Sequence, residues 1–301
     1  MGPAVRETNR QLIFAFCQEF FGSLFLYVLF FPIGAILGNS VEGWVFHFLA
    51  VIAFDILTAG ACANPMICLA LLSAGKLTFI GAAVRICAEI LVAFTGFSIL
   101  HSVVPERLID LTGGPELAAG IDVYYGCIVE GLISFLFALT VLLASSFVTE
   151  PDFARPLFAT VLRLLIEGSA PITGANMNSM IGFSWAFYTN RTYSLNYQMV
   201  YSVSPLIGGV IAAGAYYLVM TIIFPNYEDK ILAETMAEEK KISKTITKNE
   251  SDMLKIEDRL KSPKRNPTTP AKSKKTPTKS EARSVTRSQT KGPNLRKKST
   301  K

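Results

Sequence analysis

The sequence predicts an all-α membrane protein with six transmembrane helices and two re-entrant half-helices, arranged as an inverted repeat of three plus three helices. Three observations predict this fold: apolar runs of membrane-spanning length, a pair of similar Asn-centred turns, and an internal repeat. A helix needs about 20 apolar residues to cross a bilayer. The apolar runs are Gln11–Leu37, Trp44–Thr58, Phe79–Val104, Tyr124–Val148, Pro156–Ile172 and Met199–Phe224.

Charge divides the chain into two regions of different chemistry. Residues 1–225 carry 8 Lys/Arg and 13 Asp/Glu, whereas residues 226–301 carry 21 Lys/Arg and 10 Asp/Glu. The overall charge of +6 therefore describes the tail and not the apolar region. Arg6 and Arg10 make the N-terminal segment basic, and the tail is basic as well. Basic segments that flank membrane helices stay in the cytosol. The sequence predicts that both termini are cytosolic.

Two short segments, Gly60–Met66 and Thr173–Met180, place an Asn before a short apolar run. Asn is a favoured helix N-cap, and Pro at the first helical position, as at Pro65, strengthens the signal. The runs after Asn64 and Asn178 are too short to cross a bilayer. A half-helix that begins inside the membrane turns its positive end and its free N–H groups toward the midplane. The pattern predicts a pore or a binding site there.

The two halves of the apolar region repeat. Glu19 and Glu130 open the two halves at a separation of 111 residues, and Asn64 and Asn178 are 114 residues apart. Each half contains three spans, and an odd number inverts the second copy in the membrane. Inverted repeats with broken helices place their shared site near the midplane. The predicted organisation is a cytosolic N-terminus at 1–10, a channel region at 11–225 with repeats at 11–104 and 122–225, and a basic, largely disordered tail at 226–301.

Residues 11–225 resemble the aquaporin, or major intrinsic protein, family. The resemblance lies in Asn64-Pro65-Met66, in the segment 173–178, in Glu19 and Glu130, and in the sixth-helix segment Tyr201–Gly209. The divergent Asn boxes and the basic tail are most similar to the small basic intrinsic and unorthodox intracellular members. The resemblance implies two pore boxes, which consist of Asn64, Pro65, Met66, Asn178, Ser179 and Met180.

The chain departs from the family pattern at several positions. Ser179 replaces the Pro of the second box, and Met66 and Met180 replace the two Ala. Ile181 stands where the family usually has its filter Arg. By the resemblance, the narrowest part of the pore is an apolar ring, and its members are Trp44, Ile166, Ala175 and Ile181.

Ionisable groups inside the predicted helices need partners because a charge in the membrane is costly. Arg85 and Glu89 are four residues apart, as are Arg163 and Glu167, so the sequence predicts an ion pair within each helix. By the resemblance, Glu19 and Glu130 are structural acids that hold the Asn loops. A structural pair is the first interpretation for Arg163; the alternative is that Arg163, one turn from Ile166, faces the pore and replaces part of the charge of the missing Arg.

The five cysteines lie in apolar sequence, and none are spaced as metal ligands are. We expect small buried side chains, with Cys62 near the pore, and no metal site. His47 and His101 are isolated, and the sequence contains no nucleophile–base pair or phosphate loop. An enzyme and a cofactor are therefore not expected. A nucleic-acid partner is not expected either, because a basic tail attached to a membrane domain favours lipid or a cytosolic partner.

The resemblance implies a passive channel for water or small neutral solutes, with hydrogen peroxide, glycerol and urea as candidates. It also implies a homotetramer in the endoplasmic reticulum or another intracellular membrane. One alternative is a non-conducting membrane scaffold, favoured by Ser179 and the missing Arg. A second is an ion-coupled transporter that uses Asp55, Arg163 and Glu167.

The tail after Lys261 is rich in Lys, Ser, Thr and Pro, a composition that cannot bury a core. Pro follows each of Ser262, Thr269 and Thr276. A basic residue lies two positions after Ser262 and three positions after Thr269 and Thr276. These residues are candidate phosphorylation sites. The tail is expected to bind anionic lipid or a cytosolic partner, and phosphate would weaken its attraction to lipid.

Overall fold

The computed structural model describes residues 7–30, 40–105, 114–148, 150–190, 192, 194–227, 237, 240 and 243. Within these ranges all regular structure is helical. The helices are α1 (Asn9–Phe25), α2 (Val41–Leu57), α3 (Pro65–Ser73), α4 (Phe79–Val103), α5 (Val123–Phe147), α6 (Pro151–Thr173), α7 (Ser179–Tyr188) and α8 (Leu195–Ile223). A π-helical turn, Leu26–Phe30, extends α1, and α8 contains two more, at Met199–Val203 and Val219–Ile223.

The chain divides into two units, Met1–Ala237 and Glu238–Lys301. All eight helices belong to the first unit. In the second unit the structure describes only Lys240 and Ser243. The candidate phosphorylation sites Ser262, Thr269 and Thr276 therefore lie outside the described residues, as does the predicted helical segment 31–37.

Four helices are long and apolar enough to cross a membrane: Asn9–Val28, α4, α5 and α8. The other two long helices are less apolar or shorter. Helix α2 has 17 residues, and α6 contains four charged residues, Asp152, Arg155, Arg163 and Glu167. The half-helices α3 and α7 have only 9 and 10 residues.

Side-chain caps fix where most helices begin. Thr8 forms a reciprocal capping box with Gln11, and Ser40, Thr78 and Asp122 each accept a hydrogen bond from a backbone N–H in the first turn. Such caps satisfy N–H groups that have no partner inside the helix. Helix α6 begins at Pro151, five residues before the predicted start, because Pro is well tolerated at the first helical position.

The helices pack as two similar sets. In the first half α1 packs against α4, and in the second half α5 packs against α8. The half-helix α3 packs against α8, and α7 packs against α4, so each half-helix contacts the third long helix of the other half. Helix α2 packs against α6. This interlocking brings the starts of α3 and α7 together in the interior of the first unit.

Candidate functional site

The site is built around the first residues of the two half-helices. Asn64 caps α3, with its side-chain oxygen accepting the Met66 N–H at 3.0 Å. Asn178 caps α7 in the same way, accepting the Met180 N–H at 3.0 Å. Both Asn side chains are 6 % exposed. Each cap satisfies one N–H at the start of its half-helix and leaves the positive end of the helix facing the interior.

The two Asn side chains also hydrogen bond across the site. The Asn64 amide nitrogen donates to the Met177 carbonyl at 2.8 Å, and the Asn178 amide nitrogen donates to the Ala63 carbonyl at 2.8 Å. An Asn amide has two donor hydrogens. One hydrogen of each amide therefore has no protein acceptor among the described residues.

The backbone before each half-helix has two left-handed positions in common, although Ala59 of the first loop and Ala175 of the second are left-handed in one loop only. Gly60 and Gly174 have φ of +84° and +78°, and Ala63 and Met177 have φ of +44° and +47°. Each pair is related by the same shift of 114 residues as the two Asn. The left-handed residue before each Asn carries the carbonyl that accepts from the opposite Asn, so the reciprocal bonds depend on this conformation.

Two carboxyl groups hold the first Asn loop. Glu19 on α1 accepts the N–H groups of Cys62 at 3.1 Å and Ala63 at 2.8 Å. Glu89 on α4 accepts the N–H of Asn64 at 2.8 Å. Both acids are buried. These loop N–H groups have no helical partner, and leaving them unpaired away from water would cost about 1–3 kcal/mol each.

One carboxyl group holds the second Asn loop. Glu130 on α5 accepts the N–H groups of Asn176 at 3.0 Å and Met177 at 2.9 Å, and the hydroxyl of Thr173 at 2.5 Å. The Tyr201 hydroxyl donates to the Thr173 carbonyl at 3.0 Å. The Asn176 side chain donates to the carbonyls of Asn178 and Tyr201.

The remaining box residues form packing contacts. Met66 and Met180 are 0 % and 2 % exposed, so their side chains belong to the packed interior. Met66 lies against Gly209 of α8, where an added Cβ would come within 2.9 Å of the Met66 side chain. Pro65 and Ser179 occupy the same position, the first residue of each half-helix, and Ser179 is buried.

The four predicted filter residues are all half-buried. Trp44 lies in the first turn of α2, stacked on Phe48 at 5.7 Å between ring centroids. Ile166 lies on α6, which packs against α2. Ala175 has a left-handed φ of +55° in the second Asn loop, and Ile181 lies in the first turn of α7.

The charged residues inside the helices find different partners. Arg163 pairs with Glu167 as predicted, and the residue Arg163 is 5 % exposed. The predicted pair of Arg85 with Glu89 is wrong. Arg85 instead bonds to Glu7 at 3.0 Å and approaches Glu19 at 3.9 Å. The reason is that Glu89 is turned inward to bind the first Asn loop.

A further ion pair joins two helices. Arg155 in α6 donates to the Asp55 carboxylate of α2 at 2.7 Å. Asp55 therefore forms an ion pair with Arg155. The sequence did not indicate this pair, because the two residues are 100 positions apart.

Sequence reasoning missed the role of Glu89 and the reciprocal Asn bonds. The Asn bonds join residues 113 and 115 positions apart, and no local pattern predicts them. The signal for Glu89 was its apolar setting: a carboxyl group in a membrane helix needs donors. Along the sequence, the nearest possible partner of Glu89 is Arg85. The donor that Glu89 binds, the N–H of Asn64, lies 25 positions away in the first Asn loop.

Comparisons with known proteins agree with this geometry. The model of the major intrinsic protein family matches residues 8–217. Aquaporin SIP1-1 of Arabidopsis thaliana is 29% identical over 181 residues, which cover 59% of this chain and 73% of the relative. The lens fiber major intrinsic protein of Bos taurus is 28% identical over 230 residues, covering 70% of this chain and 82% of the relative.

A solved structure has the same fold. The X-ray structure of the aquaglyceroporin from Plasmodium falciparum superimposes with a TM-score of 0.58 at 17% identity, covering 72% of this chain and 99% of that chain. The predicted fold class is therefore confirmed, as is the prediction of a multi-pass membrane channel for water or small solutes rather than an enzyme. With two capped half-helices that meet inside a matched region of 210 residues, this chain belongs to the major intrinsic protein family.

Proposed function

We propose that the chain is a passive channel in which small neutral molecules cross the membrane between Asn64 and Asn178. One observation carries the proposal: two half-helix N-termini are capped by these Asn and braced by reciprocal bonds of 2.8 Å. A molecule at this point meets the remaining amide hydrogen of each Asn, which is able to donate to its oxygen. The positive ends of α3 and α7 oppose cations and protons there.

The proposed filter consists of Trp44, Ile166, Ala175 and Ile181. Their side chains are apolar and only half-buried. A ring without Arg offers few hydrogen bonds to replace those that water loses on leaving bulk solvent. Each hydrogen bond that is not replaced costs on the order of several kcal/mol, as in transfer of a polar group to hydrocarbon. The filter therefore admits water poorly and favours larger neutral solutes such as hydrogen peroxide, glycerol or urea.

Arg163 supplies a positive charge near this ring. Its guanidinium is almost fully buried, one turn before Ile166, and its Nε has no hydrogen-bond partner among the described residues. Glu167 neutralises part of that charge from the next turn. Because a buried Arg is still ionised, its field adds to that of the half-helices against cations.

Stopped-flow measurements on proteoliposomes containing the purified chain test the proposal. We expect passive uptake of glycerol, urea or hydrogen peroxide, with low water permeability. Ile181→Arg narrows the ring with a long cation and should lower solute uptake several-fold, whereas the matched Ile181→Met keeps the volume and should change little. Efficient water flow without solute uptake would refute the filter assignment.

Two other outcomes identify the alternatives. Absence of any flux in well-folded protein would support the non-conducting scaffold. Uptake that depends on an ion gradient would support a transporter, in which Asp55, Arg163 and Glu167 are the coupling groups. The pairing of Asp55 with Arg155 argues against a free coupling carboxylate at that position.

We propose further that the channel is a homotetramer in an intracellular membrane such as the endoplasmic reticulum. Both the segment 1–10 and the tail 226–301 lie in the cytosol, with the channel region at 11–225. Similarity to the small basic intrinsic members supports the location, and the basic charge of the tail supports the orientation. Proteolysis of sealed microsomes tests it: external protease should remove the tail.

The tail is proposed to bind anionic lipid through its Lys and Arg, and phosphate at Ser262, Thr269 and Thr276 to release it. Kinase-treated wild type should bind anionic liposomes more weakly than a variant with Ala at these three positions. Equal binding after treatment would exclude the switch.

A further inference from the structure

Two thiols and two carboxyl groups meet behind the first Asn loop. The sulfur atoms of Cys62 and Cys68 and a carboxylate oxygen of Glu19 all lie within 4.8 Å of one another. The Cys68 sulfur lies 3.6 Å from Oε1 of Glu89. The four side chains come from four different elements: α1, the loop, α3 and α4. Six positions separate the two cysteines in sequence, so their meeting depends on the turn at Asn64.

This cluster has more acceptors than donors. Glu89 is fully buried, and its second carboxylate oxygen has no hydrogen-bond partner among the described residues. Arg85 approaches only Glu19, at 3.9 Å, and directs its shorter bonds to Glu7 and to the Gly81 carbonyl. Glu89 thus has one buried carboxylate oxygen without a donor and the other beside the Cys68 thiol, an arrangement that a bound cation would stabilise.

We infer that these residues form a binding site for a soft divalent cation of the zinc type. Zn²⁺ takes four ligands in a tetrahedron, at about 2.3 Å from sulfur and about 2.0–2.2 Å from carboxylate oxygen. The ligands are Cys62, Cys68 and Glu19, with Glu89 in the fourth position. Such ligand atoms lie about 3.5–3.8 Å apart, so the side chains need to move inward by roughly 1 Å. Binding deprotonates both thiols and releases two protons to solvent.

The nature of the ligands selects the ion. Thiolates favour Zn²⁺ and chemically similar soft ions, whereas Mg²⁺ and Ca²⁺ bind through oxygen alone. The site belongs to the first half of the repeat only. The positions 114 residues after Cys62 and Cys68 are Asn176 and Gly182, which offer no comparable ligands. A bound ion would therefore tie the first Asn loop to α1, α3 and α4 and leave the second loop unchanged.

Direct binding to the full chain tests the site without reference to flux. The protein is purified in detergent, reduced, and titrated with Cd²⁺ while the ultraviolet thiolate-to-metal absorption is followed, and Zn²⁺ binding is counted by equilibrium dialysis. We expect one ion per chain, displaced by excess Zn²⁺ but not by Mg²⁺. Cys62→Ser combined with Cys68→Ser should abolish the absorption, and Glu89→Gln should weaken binding by about 10–100-fold.

The other three cysteines provide the matched control. A variant with Ser at Cys17, Cys87 and Cys127 should bind as the wild type does, because these thiols lie outside the cluster. If the Cys62 and Cys68 variants fail to fold, alkylation of the wild type replaces them: Zn²⁺ should protect Cys62, the half-buried thiol of the cluster, and leave the exposed Cys17 and Cys87 reactive. No binding, equal protection of all thiols, or unchanged binding without Cys62 and Cys68 would overturn the site.

Discussion

The first and second Asn loops have the same left-handed residue before the Asn and the same cap, but they are held by different side chains. In both, an Asn caps a half-helix, a left-handed residue precedes it, and the Asn donates to the other loop at 2.8 Å. The first loop is anchored by two carboxyl groups, Glu19 and Glu89, from two helices. In the described part of the chain, the second is anchored by one carboxyl group, that of Glu130, with support from the hydroxyl groups of Thr173 and Tyr201.

The comparison separates the features that both loops share from those that differ between them. The cap, the left-handed backbone and the reciprocal bond are fixed by geometry that the two loops impose on each other. The anchors only need to satisfy buried N–H groups, and several chemistries are able to do so. Positions 111 to 114 residues after Glu89 are Val200–Val203, with no carboxyl group, so the second loop depends on fewer residues.

The largest expected effect is therefore at Glu130. Glu130→Ala leaves two N–H groups and the Thr173 hydroxyl without an acceptor, and should cost about 4 kcal/mol of the free energy of unfolding or prevent folding. Glu89→Ala removes the acceptor of the Asn64 N–H and of the weakly donating Cys68 thiol, and should cost about 1–3 kcal/mol. Glu19→Ala, with two N–H groups, should fall between them. Unfolding by SDS in mixed micelles measures all three.

The exposed Glu42 in the first turn of α2 provides the control, and Glu42→Ala should change stability little. A larger loss at Glu89 than at Glu130 would mean that the first loop, not the second, has the weaker support.

Much of the fold was predictable because membrane helices are specified by simple rules. Apolar length indicated the spans, and the Asn and Pro residues indicated where the half-helices begin. The inverted repeat followed from the spacing of Glu19, Asn64, Glu130 and Asn178. Helix ends were less predictable: α6 starts at Pro151, before its apolar run, because Pro is well tolerated at the first helical position.

The site was predictable only where a residue acts on its own neighbours. Asn64 and Asn178 cap their own half-helices, and that is a local property. Their bonds to Met177 and Ala63 arise only when two loops more than 100 residues apart are brought together. Glu89 was assigned to Arg85 for the same reason, since spacing within one helix gives no information about a loop that packs against it.

Close packing of the half-helices against α8 gives a second contrast. An added Cβ at Gly182 on α7 would lie 2.4 Å from the Tyr201 carbonyl oxygen, whereas at Gly209 its nearest contacts are the Met66 side chain and carbonyl at 2.9 Å. Gly182→Ala should therefore cost about 3 kcal/mol, and Gly209→Ala less, because its contacts with Met66 are longer and include the flexible Met66 side chain as well as the backbone carbonyl. Gly214→Ala, with no atom within 4 Å, should be neutral or stabilising. The same unfolding assay separates them, and an equal loss at all three would show that packing does not limit these positions.

The reciprocal Asn bonds predict equal effects in the two halves. Asn64→Ala and Asn178→Ala each remove one cap and one bond between loops, and each should cost about 2 kcal/mol. The double variant should cost at least about 0.5 kcal/mol less than the sum, because the loops are already separated after the first change. Asn196→Ala on the exposed surface is the control. One silent variant and one destabilising variant would show that only one loop depends on the contact.

The smallest effect concerns the left-handed residue of the first loop. Ala63 has φ of +44°, a conformation that costs a side chain with Cβ about 1 kcal/mol and costs Gly nothing. Ala63→Gly should thus stabilise the protein by up to about 1 kcal/mol while keeping both backbone bonds to Glu19 and Asn178. Ala70→Gly, inside the half-helix α3, should instead destabilise by about 1 kcal/mol. The sign of the difference is the test: if both variants destabilise equally, the loop tolerates Ala63 without strain, and the left-handed residue that precedes each Asn reflects the hydrogen bonds alone.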